Sequence, residues 1–335
     1  MPNIIETLDA AASIATAYTL TIGQTAQGTV TALTDHDWWR VDLVAGQTYT
    51  FALVGTGGTH LPDSFLRLRD AAGVQIDFDD DDGPGVNSSI TFTAGSSGTF
   101  FLDAGAFNDQ YTGQYGLSAT LGNRAHYDEM MGAGNLIRGG ASWSAAPATA
   151  VNVTYSIDTS NPDQTDASGN PTAFIALSAA QTAAAQACLG QFSEAGNITF
   201  TLAAPNTGTI RFSAYSSTTD GAGAYAYFPG STDANALAGD VNLNNESVSQ
   251  TDLPQGSYSF FAMLHELGHA VGLAYPGDYN AGPGVVIEYG THAQFTEDSH
   301  QYTVMSYFDE SNTTDSYGSY PDTLMMYDIL AIQQL

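Results

Sequence analysis

Between residues 19 and 121, apolar and polar residues alternate in short runs that small, Gly-rich turns interrupt. Trp39-Arg40-Val41-Asp42-Leu43-Val44, Thr48-Tyr49-Thr50-Phe51-Ala52-Leu53, Ser89-Ile90-Thr91-Phe92-Thr93, Thr99-Phe100-Phe101-Leu102 and Tyr115-Gly116-Leu117-Ser118 all read this way. A period of two puts alternate side chains on opposite faces of a strand, so each run can bury one face and wet the other. Turns such as Val44-Ala45-Gly46-Gln47 and Ala94-Gly95-Ser96-Ser97-Gly98 separate the runs. This spacing predicts an all-β antiparallel sandwich over 19–121, preceded by a leader at 1–18.

The pattern then changes. Residues 122–148, with glycines between 132 and 140, read as a connector and the start of the second domain, and 149–335 reads as a mixed α and β domain. Val151-Asn152-Val153-Thr154-Tyr155-Ser156-Ile157 predicts a strand, and Ser178-Ala179-Ala180-Gln181 predicts a capped helix that ends near Gly196. Strands are expected at 198–202, 209–214, 224–228 and 240–243, a second helix at about 257–273, and a last apolar run from Leu324.

Composition narrows the function. Six Arg and no Lys stand against 35 Asp+Glu, a formal charge of −29. Such a polyanion repels phosphate backbones and anionic lipid headgroups, which argues against nucleic-acid partners and membrane docking. With 335 residues, 43% of them hydrophobic, the chain can build two cores. No window approaches the apolar length of a membrane-spanning helix, so no membrane insertion is expected, and the first residues lack the basic start of a cleavable signal peptide. Cys188 is the only cysteine; it has no intramolecular disulfide partner and reads as a small buried apolar residue.

The second predicted helix carries His265-Glu266-Leu267-Gly268-His269. Histidines at i and i+4 share one helical face, so both imidazoles reach one Zn²⁺ while Glu266 is placed to polarise a metal-activated water. Three residues beyond His269, Gly272 is suited to turning the chain back. Met305 follows in Tyr302-Thr303-Val304-Met305-Ser306-Tyr307. The run Asp79, Asp80, Asp81 and Asp82, before Gly83-Pro84-Gly85, offers oxygen ligands of the kind Ca²⁺ takes, against the plain reading of a solvated acidic turn. His36 and His60 stand isolated and read as surface polar residues, and His292 and His300 read as loop histidines.

A zinc helix, a Gly turn and a downstream Met-turn resemble the metzincin pattern. Within it the chain is similar to the serralysins, through His265 to Leu273, Pro276-Gly277-Asp278-Tyr279-Asn280-Ala281-Gly282, Tyr302 to Tyr307, Gly196-Asn197-Ile198-Thr199-Phe200, Tyr225-Ala226-Tyr227-Phe228-Pro229 and Asp328-Ile329-Leu330-Ala331-Ile332-Gln333. The earlier half resembles the bacterial pre-peptidase C-terminal modules, through Asp37-Trp38-Trp39-Arg40-Val41-Asp42-Leu43, the 65–73 run, the four aspartates and Asn87-Ser88-Ser89-Ile90. The resemblances imply an α+β zinc-protease domain with a five-stranded mixed sheet and an active-site helix. They imply His265 and His269 as zinc ligands, Glu266 as general base, Met305 as the floor of the site, and Tyr307 as a phenol able to ligate zinc and to stabilise the tetrahedral intermediate. The edge strand near 224–228 would pair with an extended substrate. The implied protein is a secreted monomer, exported by a type I route, acting on proteins or peptides, with a proteinaceous inhibitor as a further partner.

One residue departs from the pattern. Serralysins carry a third His three residues after the motif's glycine, where this chain has Tyr275. A phenol must lose a proton to become a strong ligand, which a neutral imidazole need not do. Three readings stand: Tyr275 coordinates through oxygen; His265, His269 and Tyr307 bind the metal with water; or the third ligand is lost. The last leads to a rival function, a catalytically weak or inactive metzincin-fold protein that acts as a secreted binding module through its sandwich.

Overall fold

A computed structural model describes residues 4–230 and 237–335; the first three residues of the expected leader lie outside the described residues. The chain divides into two compact units. One comprises Met1–Arg138 with Pro276–Asp278 and Ala293–Asp298, the other Gly139–Tyr275, Tyr279–His292 and Ser299–Leu335.

The first unit is built from β1 (Ile4–Ile5), β2 (Gln24–Val30), β3 (Asp37–Leu43), β4 (Thr48–Gly55), β5 (Ser64–Arg69), β6 (Gln75–Asp79), β7 (Ser88–Thr93), β8 (Gly98–Ala106), β9 (Gly113–Leu121) and the helix α1 (Glu129–Leu136). The strands form a five-stranded sheet of order β1-β2-β9-β4-β7 and a four-stranded sheet of order β3-β8-β5-β6. Trp39, Val41, Leu66, Leu68 and Leu102 from the smaller sheet meet Phe51, Leu53, Tyr115 and Leu117 from the larger in one core. Trp39 keeps its indole N–H satisfied there by donating to Tyr115 Oη at 2.9 Å, and Tyr115 donates on to Asp37 Oδ2 at 2.8 Å.

Two expectations change here. The leader is not separate, because β1 pairs in parallel with β2. The Gly-rich stretch is not simply a connector: α1 forms there, its start capped by Asp128, whose carboxylate accepts from Met130 N and Met131 N. Gly134 is needed for packing, since a Cβ there would come within 2.3 Å of Gly55 O. The first unit therefore runs past the expected boundary at 121, and it takes two short segments from the expected 149–335 domain.

The second unit holds β10 (Val151–Ile157), α2 (Ala179–Ala195), β11 (Ile198–Leu202), β12 (Ile210–Tyr215), β13 (Ala224–Ala226), β14 (Val241–Asn244), α3 (Tyr258–Val271), the short α4 (Tyr289–His292) and α5 (Met326–Gln334). Its sheet has the order β11-β10-β12-β14-β13, parallel throughout except for the antiparallel edge strand β13, which is the expected five-stranded mixed sheet. The capping box forms at α2, where Ser178 and Gln181 satisfy each other's backbone N–H groups. Cys188 is buried on that helix, as its isolation implies.

α3 lies against α2, β13 and β14, and every residue from Ser259 to Val271 is buried. Ser257 caps its start by accepting from Phe260 N. Burying a Phe or Leu side chain contributes about 1.5–3 kcal/mol, so the helix is fixed by packing far more than by propensity. The helix ends at Gly272, whose φ of 122° and N–H bonds to Gly268 O and His269 O close the last turn. A Cβ at Gly272 would meet Ala141 O at 2.2 Å, so both conformation and space require glycine.

Candidate metal and catalytic site

His265 and His269 sit one turn apart on α3, their rings 4.8 Å apart at 90°. Each Nδ1 faces a carbonyl oxygen, Val304 O at 2.8 Å and Leu273 O at 2.7 Å. A carbonyl only accepts, so each Nδ1 carries the proton and each Nε2 presents a lone pair. His269 Nε2 is buried without a hydrogen-bond partner. An orphaned, buried imidazole nitrogen is costly unless something binds it, and its chemistry suits a divalent metal. Burial pushes His265 down to about 3 and His269 to about 4, which keeps both imidazoles neutral, the form that binds metal.

The floor beneath the histidines depends on a missing side chain. A Cβ at Gly268 would lie 2.3 Å from Met305 Sδ, so this glycine makes room for the fully buried thioether. The loop carrying Met305 is fixed by Asp328, which is fully buried at the start of α5. Its Oδ1 accepts from Thr303 Oγ1 at 2.5 Å and its Oδ2 from Val304 N at 2.9 Å and Met325 N at 2.8 Å. Burial nevertheless pushes Asp328 up to about 6.

Glu266 is 93% buried beside the first histidine, and desolvation raises its carboxyl to about 8. It lines a cavity of about 270 Å³ with His265, Tyr307, Tyr258, Phe261 and His300. The edge residues Gly221, Ala222, Gly223 and Ala224 border the same cavity, so the open side of β13 adjoins the carboxyl. The strand is shorter than the expected 224–228, since it stops at Ala226, ahead of Pro229.

Tyr275 and Tyr307 complete the cluster. The Tyr275 ring lies 4.5 Å from His269 and 5.6 Å from His265, and the Tyr307 ring 5.6 Å from His265. Tyr307 Oη donates to Tyr275 Oη at 2.8 Å, and Tyr275 Oη donates to Asn280 Oδ1 at 3.2 Å. Burial pushes Tyr307 up to about 12 and raises Tyr275 further.

Among the described residues, no further histidine brings a ring nitrogen into a cluster with this pair. His292 is occupied locally on α4 with Glu288 N and Thr291 Oγ1. His300 is buried instead of lying on a loop surface, its Nε2 3.0 Å from Ser306 O and its ring against Phe261. His36 is not isolated: Nδ1 is 2.7 Å from Asp103 Oδ1 and Nε2 3.0 Å from Asp109 Oδ1, and the Asp103 bond raises its pKa. His60 is half-buried, which lowers its own.

The four-aspartate run does not act as one group. Asp79 Oδ2 accepts from Asp82 N and Ser89 N and so ties the turn, whereas Asp80 and Asp81 come together with Asp63. A second acidic cluster, Glu6, Asp9 and Asp37, is invisible in the linear sequence.

Comparison with known proteins gives a consistent set of relatives. Metallopeptidase AprA of Pseudomonas marginalis is 32% identical over 251 residues, covering 72% of this chain and 52% of that protein. Serralysin B of Dickeya chrysanthemi is 32% identical over 262 residues, 75% of this chain and 52% of its own length. Serralysin A of the same organism is 36% identical over 172 residues, 49% of this chain and 34% of its length. The chain thus spans about half the length of the curated relatives it matches. A solved pre-peptidase C-terminal domain of a collagenase from Bacillus anthracis covers 30% of this chain and 92% of that domain at 13% identity, with a TM-score of 0.26, too slight a likeness to bear on the fold. No family model matches the chain.

Proposed function

We propose that this chain, a homologue of the serralysin metallopeptidases, is a zinc-dependent endopeptidase whose ligands include His265 and His269 and whose general base is Glu266. One observation carries the reading: both histidines spend Nδ1 on a carbonyl, which leaves each Nε2 a lone pair, and the buried Nε2 of His269 has no hydrogen-bond partner.

A bound zinc ion would supply Lewis acidity to a water molecule and to the scissile carbonyl. The chain's own residues do the rest. Glu266 lines the cavity, where its carboxylate accepts a proton from the attacking water and returns it to the departing amine. Tyr307, on the same cavity wall, donates its phenol proton as a hydrogen bond to the oxyanion that develops on the carbonyl. The outer edge of β13 holds an extended peptide by backbone hydrogen bonds, which fixes the scissile bond while tolerating varied side chains. Protein or peptide substrates and an extracellular site of action follow from this reading; a charge of −29 suits such surroundings.

A second reading has its own observation. Among the described residues, no third His, Cys, Asp or Glu brings a ligand atom into a cluster with the two imidazoles. On that footing the site is weak or inactive and the first unit is the working part, as a binding module. Zinc stoichiometry by elemental analysis, with cleavage of an unfolded protein by wild type and Glu266→Ala, separates the two. One zinc per chain in both, with cleavage only by wild type, supports the peptidase; no cleavage by zinc-loaded wild type rejects it.

A further inference from the structure

We propose that Tyr275 supplies the third protein ligand of the metal through its phenol oxygen, making a site of two imidazoles and one phenolate; this rests on the metal-site reading above. A catalytic zinc site keeps three protein ligands and one open position. Elimination among the described residues leaves few donors. No carboxylate, thiol or further imidazole clusters with His265 and His269. His300 has its Nε2 at Ser306 O, and His292 sits on α4 with its Nδ1 accepting from Glu288 N, neither of them clustered with the pair. Glu266 is the base.

Of the phenols around the site, Tyr275 and Tyr307 are the two whose rings lie against these histidines, and their hydrogen bonds are directional. Tyr307 donates to Tyr275 Oη, and Tyr275 donates to Asn280 Oδ1. The Tyr275 oxygen is therefore the acceptor of the pair. On coordination the Tyr275 O–H bond breaks, an O–metal bond forms, and the proton leaves past the exposed Asn280 to bulk water. Tyr307 keeps its own proton and, with no substrate bound, donates it to this oxygen, now anionic and a stronger acceptor; during turnover the same O–H turns to the developing oxyanion. Tyr275 also lies close to both: its ring is 4.5 Å from His269 at 74° and 5.6 Å from His265 at 38°. The tight turn at Gly272 brings it there.

The test is zinc binding to metal-stripped protein, followed by competition with a chromophoric chelator and by the near-ultraviolet difference band of an ionised tyrosine. Wild type, Tyr275→Phe, Tyr275→His, Tyr307→Phe and His265→Ala are compared. Wild type is expected to take one zinc and develop the tyrosinate band. Tyr275→Phe loses the band, and its zinc affinity falls by more than about 100-fold, beyond what loss of a mere outer-shell partner costs. Tyr275→His loses the band but holds zinc, which also shows that substitution at this position leaves the site folded. Tyr307→Phe keeps the band. If zinc binding depends on His265 but is unchanged in Tyr275→Phe, or raises no tyrosinate band in wild type, the Tyr275 ligand is rejected while the metal site stands. If wild type takes no zinc, or takes it equally well in His265→Ala, the underlying reading falls as well.

Discussion

His265 is oriented by a carboxylate it never touches: its Nδ1–H is held by Val304 O, and the N–H of that same residue is held by Asp328 Oδ2 at 2.9 Å. The relay couples α5 to His265 on α3 through a single residue. Asp328 spends both oxygens on the 303–304 turn and on Met325 N. Because the loop has little regular structure of its own, this anchor fixes where the Val304 carbonyl points.

Asp328→Asn should therefore weaken metal binding without touching a ligand. An amide offers one acceptor oxygen; with that oxygen kept on the Val304 and Met325 N–H groups, its NH₂ group faces Thr303 Oγ1, whose buried hydroxyl loses its acceptor at a cost of about 1–3 kcal/mol. Zinc affinity is expected to fall about 10- to 100-fold, as for loss of other outer-shell partners. Chelator competition and thermal unfolding measure both effects, and an unchanged zinc affinity would remove Asp328 from the positioning chain.

Gly268→Ala tests the floor of the site. Its new methyl group meets Met305 Sδ, the flexible end of a side chain packed in a full core, so the cost is overpacking of about 1–3 kcal/mol. Since Gly268 directly precedes His269 on α3, the displacement should reach that imidazole. Gly268→Ala with Met305→Ala, which restores the space, should recover part of the zinc affinity that the single variant loses. Additive losses in the double variant would show that the contact does not transmit strain.

The elements that position the site are legible in the sequence because each is written in neighbouring residues. Ser257 caps α3, His265 and His269 share a face, and Gly272 closes the helix. Likewise the alternating runs became strands of the first unit, with Trp39, Phe51 and Leu117 inward. What was hidden depends on distant partners. α1 looks like a connector because Gly132 and Gly134 are poor helix formers, and the reason for Gly134 is its approach to Gly55. His36 looks isolated because Asp103 is supplied by β8. Asp63 joins Asp80 and Asp81 only through pairing of β5 with β6, and Asp328 meets Val304 only in the fold.

Asp37 gives the first unit a pH-dependent stability. It is fully buried; desolvation first and the Glu6 charge second push its carboxyl up to about 8. The folded form therefore binds a proton that the unfolded chain releases near the ordinary carboxylate pKa, and stability must fall as pH rises between about 4 and 8. Denaturant unfolding in chelator-treated buffer should show a loss of up to about 5 kcal/mol across that window, and Asp37→Asn should flatten it. A wild-type profile that is flat, or that rises with pH, would show that Asp37 is not held neutral.

The edge strand β13 offers a test of how substrate is held. Gly223 O accepts from Asn244 N and Tyr227 N donates to Asp240 O, so the odd-numbered residues bond inward to β14. In an antiparallel ladder the alternate residues then turn their N–H and C=O outward, which assigns Ala224 and Ala226 to the open edge beside the Glu266 cavity. Ala224→Pro removes one outward donor while leaving the inward ladder intact, a substitution an edge strand tolerates. One substrate hydrogen bond is worth about 1 kcal/mol, so kcat/KM on an extended peptide should fall roughly fivefold, mostly through KM. Zinc content and unfolding should stay at wild-type values. An unchanged KM would mean that the peptide is held elsewhere than on this edge, whereas loss of zinc would mean that Ala224 serves the fold and not the substrate.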